Sequence, residues 1–248
     1  MKIKSYLLVC VIMVLAFQSC RKDDGIEKGE PERDRAEQQH VDDSLLVDYF
    51  GKHYYNSGDF NPPNDPDATI NNLVITELLE GESVPVDHTL LSEVVETHTT
   101  TFAEVEYKYY ILRLNQGGGA EKPNFPDEIR VNFTGFKLDG DEFDSSVNPI
   151  ELDLTQLVPG WGKVIPQFNV AESFVINPNN TVTYYNSGVG VMFLPSGLAF
   201  FSGSAQGVPV YTNVAFSFEL YQYQENDHDE DNVPSFKEDI DGDKVLTN

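Results

Sequence analysis

An aspartate beside an aromatic ring is the first candidate functional group in this chain. It lies in the segment FTGFKLDGDEFDSS, residues 133–146. The segment predicts a strand, a tight Asp-Gly turn and a second strand, which contains Phe143 and Asp144. A carboxylate next to an apolar ring can orient a polar group of a bound ligand. The structural alternative is that Asp144 caps a turn together with the two serines that follow it.

The acidic segment DHDEDNVPSFKE, residues 227–238, is a second candidate. Oxygen-bearing side chains occupy positions one, three, five, nine and twelve, which is the ligand spacing of an EF-hand calcium loop. Asn232, at position six, can adopt the left-handed turn usually given to glycine. The predicted calcium ligands are Asp227, Asp229, Asp231, Val233 through its carbonyl, and Glu238. Pro234 departs from the pattern, and a solvated acidic tail is the alternative interpretation.

The histidines argue against a hydrolase. All five lie outside residues 101–227, at His40, His53, His88, His98 and His228. The central part of the chain therefore lacks the usual base for a serine nucleophile and the imidazole ligands of many metal sites.

Length and charge restrict the class of protein further. With 248 residues, 40% of them hydrophobic and 12% aromatic, the chain can bury the core of one globular domain with appendages. Sixteen Lys and Arg residues against 41 Asp and Glu residues give a net charge of −25. Such a chain would repel a polyphosphate backbone, so nucleic-acid binding is excluded.

The first twenty residues predict a secretory signal peptide, residues 1–20. A basic start is followed by an apolar run, residues 6–17, too short for a comfortable membrane span. The ending FQSC resembles the lipobox of bacterial lipoproteins, which implies that Cys20 is lipidated and anchors the protein to the membrane. The following RKDD resembles the export signal of surface lipoproteins in Bacteroidetes. These resemblances imply a bacterial outer-membrane lipoprotein, periplasmic or surface-exposed, and an ordinary cleaved signal is the alternative.

The rest of the chain divides by composition. Residues 21–40 are charged and predict a flexible acidic tether, and residues 41–104 predict a small helical and extended segment. A helix is expected from Asp42 to between Gly51 and Tyr55, and a second, short helix between Trp161 and Phe168. Strands are predicted at 73–79, 105–114, 129–138, 142–144, 150–154, 174–176, 182–185, 189–194 and 214–223. The predicted class is α+β with an antiparallel sheet.

Residues 105–224 resemble the FKBP-type peptidyl-prolyl isomerases. Four segments carry the resemblance, in the order of the family: VNFTGFKLDGDEFDSS, LVPGW, FLPSGLAF and VPVYTNVAFSFEL. The resemblance implies a twisted antiparallel sheet wrapped around a short helix, with an apolar pocket between them. It also implies isomerisation of X-Pro bonds in exported proteins, proline-containing polypeptide clients and no cofactor for catalysis. Residues 225–248 form an Asp-rich tail beyond this domain.

The resemblance also assigns roles to individual residues. Phe143, Asp144 and Trp161 correspond to the catalytic positions, with Trp161 as the pocket floor and Asp144 near the rotating carbonyl. The Val158 N–H is the expected anchor for a substrate carbonyl. The substrate-binding positions are Phe133, Leu157, Val158, Phe200, Val208 and Phe216. The alternative is that these apolar residues only fill a core.

The sequence departs from the family at several places. Phe133 and Phe200 replace tyrosines, Pro166 falls where the short helix would run, and residues 171–190 contain an insertion that predicts an added hairpin. The missing hydroxyls leave open an FKBP-fold module that binds peptides with little turnover. A surface scaffold with a calcium-ordered tail is a third hypothesis.

Overall fold

The structure is a computed structural model that describes residues 31–240. The predicted signal peptide with Cys20, the tether up to residue 30 and the tail beyond residue 240 lie outside the described residues. Residues 33–240 pack as one unit. Among the described residues, no helix is both long enough and apolar enough to span a bilayer.

Residues 31–240 form twelve strands and three α-helices. The helices are α1 (Arg35–Lys52), α2 (Leu91–Val94) and α3 (Pro159–Val164). The first six strands are β1 (His53–Tyr55), β2 (Ile75–Glu77), β3 (Thr89–Leu90), β4 (Glu96–Phe102), β5 (Val105–Asn115) and β6 (Glu128–Lys137). The others are β7 (Glu142–Ser145), β8 (Ile150–Asp153), β9 (Ser173–Ile176), β10 (Val182–Tyr185), β11 (Gly188–Leu194) and β12 (Val214–Gln224).

A seven-stranded antiparallel sheet forms the centre of the structure. Its strand order is β4-β5-β11-β12-β6-β7, and β8 also pairs with β6. In β6 the alternate residues Ile129, Val131 and Phe133 are buried, as expected for a strand with one face on a core. The predicted α+β class and most of the predicted strands are confirmed.

The sheet carries a hydrophobic core on each face. Phe216 and Phe218 of β12 belong to one core, together with Trp161 of α3. Ala215, next to Phe216, belongs to the other core, together with Phe50 of α1. Neighbouring residues of a strand point to opposite faces, so β12 contributes to both cores. Helix α3 therefore covers one face of the sheet, and α1 covers the other.

Helix α1 begins earlier than the sequence pattern indicates. Its N-cap is Asp34, whose side chain accepts a hydrogen bond from Glu37 N–H at 2.9 Å, so residues 35–40 are helical and do not belong to a flexible tether. The first two turns bury the polar side chains of Gln38 and Asp42, and the apolar periodicity starts only near Leu46. The tether prediction was wrong for these residues because their buried face is polar.

The segment before residue 105 also differs from the prediction. Strand β4 pairs with β5 from Glu96↔Ile111 to Phe102↔Val105, so the large sheet begins at Glu96. Strands β2, β1 and β3 form a separate three-stranded sheet. Only the centre of the predicted strand 73–79 is extended, at Ile75–Glu77.

The predicted hairpin in the insertion is confirmed as β9 and β10, which pair only with each other in the described residues. Phe174 and Ile176 of β9 are half-exposed or more. Tyr184 of β10 stacks on Tyr221 of β12 with ring centroids 4.3 Å apart. The stack holds the hairpin against the large sheet.

The short helix α3 has proline at its first position, where the missing N–H is not needed. It ends at Val164 and continues as one 3₁₀ turn, Ile165–Gln167, which contains Pro166. A shortened helix at Pro166 is thus confirmed.

Candidate active site

Five aromatic rings from five parts of the chain meet on the α3 side of the sheet. Trp161 lies 5.3 Å from Phe216 and 5.5 Å from Phe133, measured between ring centroids. Phe143 lies 5.5 Å from Phe216 and 6.1 Å from Phe200. The interplanar angles of these four pairs lie between 66° and 87°, which is the favourable edge-to-face arrangement.

The cluster has a buried floor and a partly exposed rim. Trp161, Phe216, Phe133 and Val208 are between 2% and 6% exposed. Four half-buried residues pack against them: Phe143, Leu157, Val158 and Phe200. The structure therefore brings together all eight apolar residues predicted to line the site. Their individual roles stay predictions.

Helix α3 sets the position of the indole ring. Trp161 N–H donates to the Val158 carbonyl at 3.0 Å, which fixes the first turn. A Cβ at Gly160 would lie 2.3 Å from Leu194 Cδ1 of β11, so glycine is needed for the helix to approach the sheet this closely. Trp161 reaches the floor of the cluster because of this close approach.

A β-bulge places Phe143 and Asp144. Gly135 pairs with Asp144 and Phe136 pairs with Glu142, which leaves Phe143 as an extra residue on β7. A bulge interrupts the strict alternation of side chains, so Phe143 and Asp144 are not forced onto opposite faces. Asp144 is exposed, and its carboxylate forms no hydrogen bond or ion pair with residues 31–240. It lies at the rim of the site rather than inside a closed pocket.

Gly135 is a site residue that sequence reasoning missed. A Cβ there would lie 2.8 Å from Phe143 Cζ and 2.9 Å from Phe216 Cε1. Real Cβ atoms do not approach aromatic carbons so closely, so only glycine lets the two rings converge over β6. The signal in the sequence is a glycine inside a strand pattern, which marks a close approach.

The Val158 N–H is free to bind a ligand. Val158 is the N-cap of α3, so its N–H lies outside the hydrogen-bond ladder of the helix. It donates to no atom of residues 31–240. One unsatisfied donor therefore lies at the rim, next to Leu157.

The acidic segment near the C-terminus folds into a tight turn. Carboxylate oxygens of Asp227, Asp229 and Asp231 lie within 4.8 Å of one another. Asp227 accepts hydrogen bonds from Asp231 N–H at 3.2 Å and Asn232 N–H at 2.8 Å. Asn232 has φ +73°, which confirms the left-handed conformation expected at position six.

Positions nine and twelve of this segment are Ser235 and Glu238, and they have different surroundings from the three aspartates. Ser235 is buried, and its hydroxyl oxygen accepts from His228 N–H at 3.0 Å and lies 2.8 Å from His228 Nδ1. This hydroxyl is therefore engaged within the protein. Desolvation raises the pKa of Glu238, and the nearby carboxylates of Asp229 and Asp231 raise it further. Negative charge is thus concentrated at this turn.

Comparison with known proteins identifies relatives of the central part of the chain. Residues 119–204 match the family model for the FKBP-type peptidyl-prolyl cis-trans isomerase. The chain is 30% identical over 129 residues to the FKBP-type peptidyl-prolyl cis-trans isomerase FkpA of Aeromonas hydrophila, covering 51% of this chain and 41% of that protein. It is 33% identical over 85 residues to the FKBP-type 22 kDa peptidyl-prolyl cis-trans isomerase of Escherichia coli (strain K12), covering 33% and 41%.

A solved peptidyl-prolyl cis-trans isomerase from Pseudomonas syringae pv. tomato aligns with a TM-score of 0.39 at 20% identity. The alignment covers 47% of this chain and 76% of that structure. The chain spans 41% of the length of each of the two curated relatives.

Proposed function

We propose that this chain is a member of the FKBP-type peptidyl-prolyl cis-trans isomerase family, whose model matches residues 119–204, and that it isomerises X-Pro bonds in polypeptides. The observation that carries the proposal is the aromatic cluster, with its buried floor at Trp161 and its half-exposed rim at Phe143 and Phe200. A proline ring fits such an apolar, partly open site.

The aromatic site can support this reaction, because the reaction is a rotation about one bond. Rotation about an X-Pro bond must cross a barrier of about 18–20 kcal/mol, because twisting breaks the resonance of the amide. No covalent bond forms or breaks, so neither a nucleophile nor a cofactor is required. The twisted amide has less charge separation than the planar one. An apolar floor therefore favours the transition state over the ground state.

Polar groups at the rim orient the substrate. The free Val158 N–H donates a hydrogen bond to a substrate carbonyl, and the proline ring lies against Trp161. Asp144 acts at the rotating carbonyl side of the site, and its place beside the bulged Phe143 supports this role.

Exchange measurements on Ala-Leu-Pro-Phe peptides test this function, by NMR or with a protease-coupled assay. The Asp144→Ala variant is expected to lower kcat/KM about tenfold or more. Glu142→Ala is the matched control, because Glu142 is an exposed carboxylate on the same strand, and this variant should keep wild-type activity. Wild-type protein that leaves the exchange rate unchanged would contradict the proposal.

The alternative function is a peptide-binding module with little turnover. The specific observation in its favour is that Phe133 and Phe200 carry no hydroxyl groups where the family has tyrosines. A module of this kind would bind proline-containing peptides in a calorimeter without accelerating their exchange. The two experiments together therefore separate the enzyme from the module.

Exported proteins are the proposed clients, and the outer membrane is the proposed location. The basic start and the apolar run of residues 6–17, followed by Cys20, support a lipid anchor that leaves the domain on the periplasmic or surface side. Metabolic labelling with a fatty acid should label the wild type and not Cys20→Ala. Equal labelling of both would contradict the anchor.

The acidic turn is proposed to bind calcium in a structural role, which would order the tail of a surface protein. The convergence of Asp227, Asp229 and Asp231 supports this second role, whereas the engaged Ser235 reduces the number of free ligands. Calorimetry with calcium should give heat in the wild type and none in Asp229→Asn. No heat at about 1 mM calcium would remove calcium from the function.

A further inference from the structure

One wall of the aromatic site is a loop that helix α1 holds in place. Residues 195–213 connect β11 to β12 and carry Phe200 and Val208. The loop contains one 3₁₀ turn, Ser196–Leu198, and a short bridge between Ala205 and Val208. A long connection with so little regular structure needs anchors if its side chains are to stay fixed.

Asp42 of α1 anchors both ends of this loop. Its carboxylate is fully buried and accepts from Ser196 N–H at 2.8 Å, from the Ser196 hydroxyl at 2.6 Å and from Gln38 Nε2 at 2.7 Å. Its backbone carbonyl accepts from Asn213 Nδ2 at 3.0 Å. One helical residue therefore binds both the first turn of the loop and its last residue.

Arg35, the half-buried first residue of α1, contacts the loop at Gly197 and Phe201. Its guanidinium carbon lies 3.9 Å from the ring centroid of Phe201, and Nη1 donates to the Gly197 carbonyl at 3.4 Å. Phe201 has φ +47°, a conformation that is uncommon for a large side chain and needs support from its surroundings. Phe201 directly follows Phe200, so the group that holds Phe201 also sets the position of the wall residue.

Arg33, just before the helix, contacts the far part of the loop. Its backbone N–H donates to the Tyr211 hydroxyl at 3.0 Å, and its guanidinium carbon lies 4.4 Å from the Tyr211 ring. Tyr211 N–H in turn donates to the Phe201 carbonyl at 2.7 Å, and the two rings meet edge to face at 5.2 Å. The two halves of the loop are thus joined on the side that faces α1.

We propose that α1 is a working part of the site, in which Arg35 and Asp42 are positioning residues that hold Phe200 and Val208 against Phe143. This inference rests on the proposed isomerase function. Both residues lie outside the segment 119–204 that matches the family model, so the match does not include the residues that hold this loop. Loss of either anchor should loosen one wall and leave the Trp161 floor in place.

The test compares neighbouring aspartates of the same helix. Asp42→Asn places an amide donor against Ser196 N–H or Gln38 Nε2, and Arg35→Met keeps an apolar stem but removes the cation and its hydrogen bonds. Asp43→Asn is the matched control, because the Asp43 carboxylate accepts hydrogen bonds from Tyr110 and Lys108 of β5 and none from the loop. Arg35→Lys keeps the charge over Phe201 and should restore part of the loss.

Two readouts are measured on the full chain. In Arg35→Met and Asp42→Asn, kcat/KM should fall about tenfold, since displaced groups of a site cost rate steeply. Amide hydrogen exchange should accelerate at residues 196–213 and stay unchanged in β12. Asp43→Asn should stay within about twofold of wild type in kcat/KM.

The outcomes separate this inference from the proposed function. Unchanged loop exchange in a folded Arg35→Met protein overturns the positioning role, whatever the activity. Faster loop exchange with wild-type kcat/KM overturns it as well, because the wall would then not depend on the anchors. A wild type without isomerase activity contradicts the proposed function, and the affinity for a proline-containing peptide then replaces kcat/KM as the readout. If Asp42→Asn fails to fold, Arg35→Met alone decides.

Discussion

The ring centroids of Trp161 and Phe216 lie 5.3 Å apart, and the two ring planes meet at 66°. Helix α3 and strand β12 meet at this contact, which closes the floor of the aromatic site. Trp161 is 2% exposed, so the proposed substrate can contact only a small part of its ring.

Replacing Trp161 by leucine should abolish most of the activity at a moderate cost in stability. We expect kcat/KM to fall about tenfold or more, because the surface that receives the proline ring is lost. The free energy of unfolding should fall by about 2–3 kcal/mol from the lost packing. Both are measured on one preparation, by peptide exchange and by urea denaturation.

Phe168→Leu is the control for this variant. Phe168 is fully buried in the same core but packs against Phe218, with ring centroids 4.9 Å apart, and forms no ring contact with Phe143 or Phe200. It should lose a similar amount of stability and keep its activity. If both variants lose activity equally, the effect of Trp161 is one of general stability.

Gly135→Ala should disturb the site through a single methyl group. The added Cβ would lie 2.8 Å from Phe143 Cζ, so the ring must move away from Phe216. Overpacking of this kind costs about 1–3 kcal/mol. We expect a lower midpoint of urea denaturation and a lower kcat/KM.

Gly51→Ala is the control for this prediction, since a Cβ at Gly51 meets no atom within 4 Å. Alanine there should leave stability unchanged or raise it by up to about 1 kcal/mol, because alanine favours helix over glycine. A Gly135→Ala protein as stable and active as wild type would show that the rings at the rim are loosely packed.

The strands of this fold could be predicted because their side chains alternate. Ile129, Val131 and Phe133 show the period of two that a strand with one buried face requires. Strand β4 has no such apolar pattern, since ETHTTTF is polar up to its last residue, Phe102, and lies at the edge of the sheet. It could not be recognised because pairing with β5, rather than burial of apolar groups, holds it in place.

The start of α1 and the details of the site could not be predicted from the sequence, for related reasons. Asp42 is buried against Ser196 of the loop and Gln38 is buried against Asp42, so the helix has no apolar stripe in its first turns. The rings of Phe143, Trp161 and Phe216 come from distant segments, and only the resemblance to a family indicated that they meet. The bulge that places Asp144 at the rim depends on the register between β6 and β7, which no local pattern specifies.

Removing the carboxylate of Glu219 should destabilise the fold without affecting catalysis. Glu219 is buried and accepts hydrogen bonds from Ile70 N–H at 2.8 Å, from the Thr69 hydroxyl and from the Tyr221 hydroxyl at 2.6 Å. Burial and the neighbouring carboxylate raise the pKa of Tyr221, so its hydroxyl stays a donor. Glu219→Ala leaves these donors without an acceptor and should cost about 2–3 kcal/mol.

Activity of Glu219→Ala should be normal under conditions where the protein is folded. Glu219 is three residues from Phe216 on the same strand and therefore points to the opposite face of the sheet. Glu106→Ala, an exposed glutamate of β5, should change the free energy of unfolding by no more than about 0.5 kcal/mol. A small effect of Glu219→Ala on stability would indicate that water replaces the carboxylate as the acceptor.

The ion pair of Glu96 and Arg113 should make stability depend on pH in the acidic range. Arg113 Nε donates to Glu96 Oε1 at 2.8 Å, and Arg113 Nη2 donates to Glu96 Oε2 at 2.9 Å. The two hydrogen bonds form a bidentate ion pair between β4 and β5. These hydrogen bonds from Arg113 are the main reason that the pKa of Glu96 lies below its ordinary value of 4.5. A carboxylate with a lowered pKa stabilises the fold above its ordinary pKa.

Glu96→Gln should therefore be less stable than wild type at pH 7 by about 0.5–1 kcal/mol, a small value because the Glu96 side chain is 37% exposed and screened by water. The difference should remain down to about pH 4.5 and disappear as the pH falls through the lowered pKa of Glu96, where the wild type becomes protonated as well. Urea denaturation of both proteins at pH 7, 5 and 3 measures it, and Glu106→Gln is the control on the adjacent strand. A difference that is the same at pH 3 and pH 7 would show that the loss is one of packing, because protonation removes only the charge.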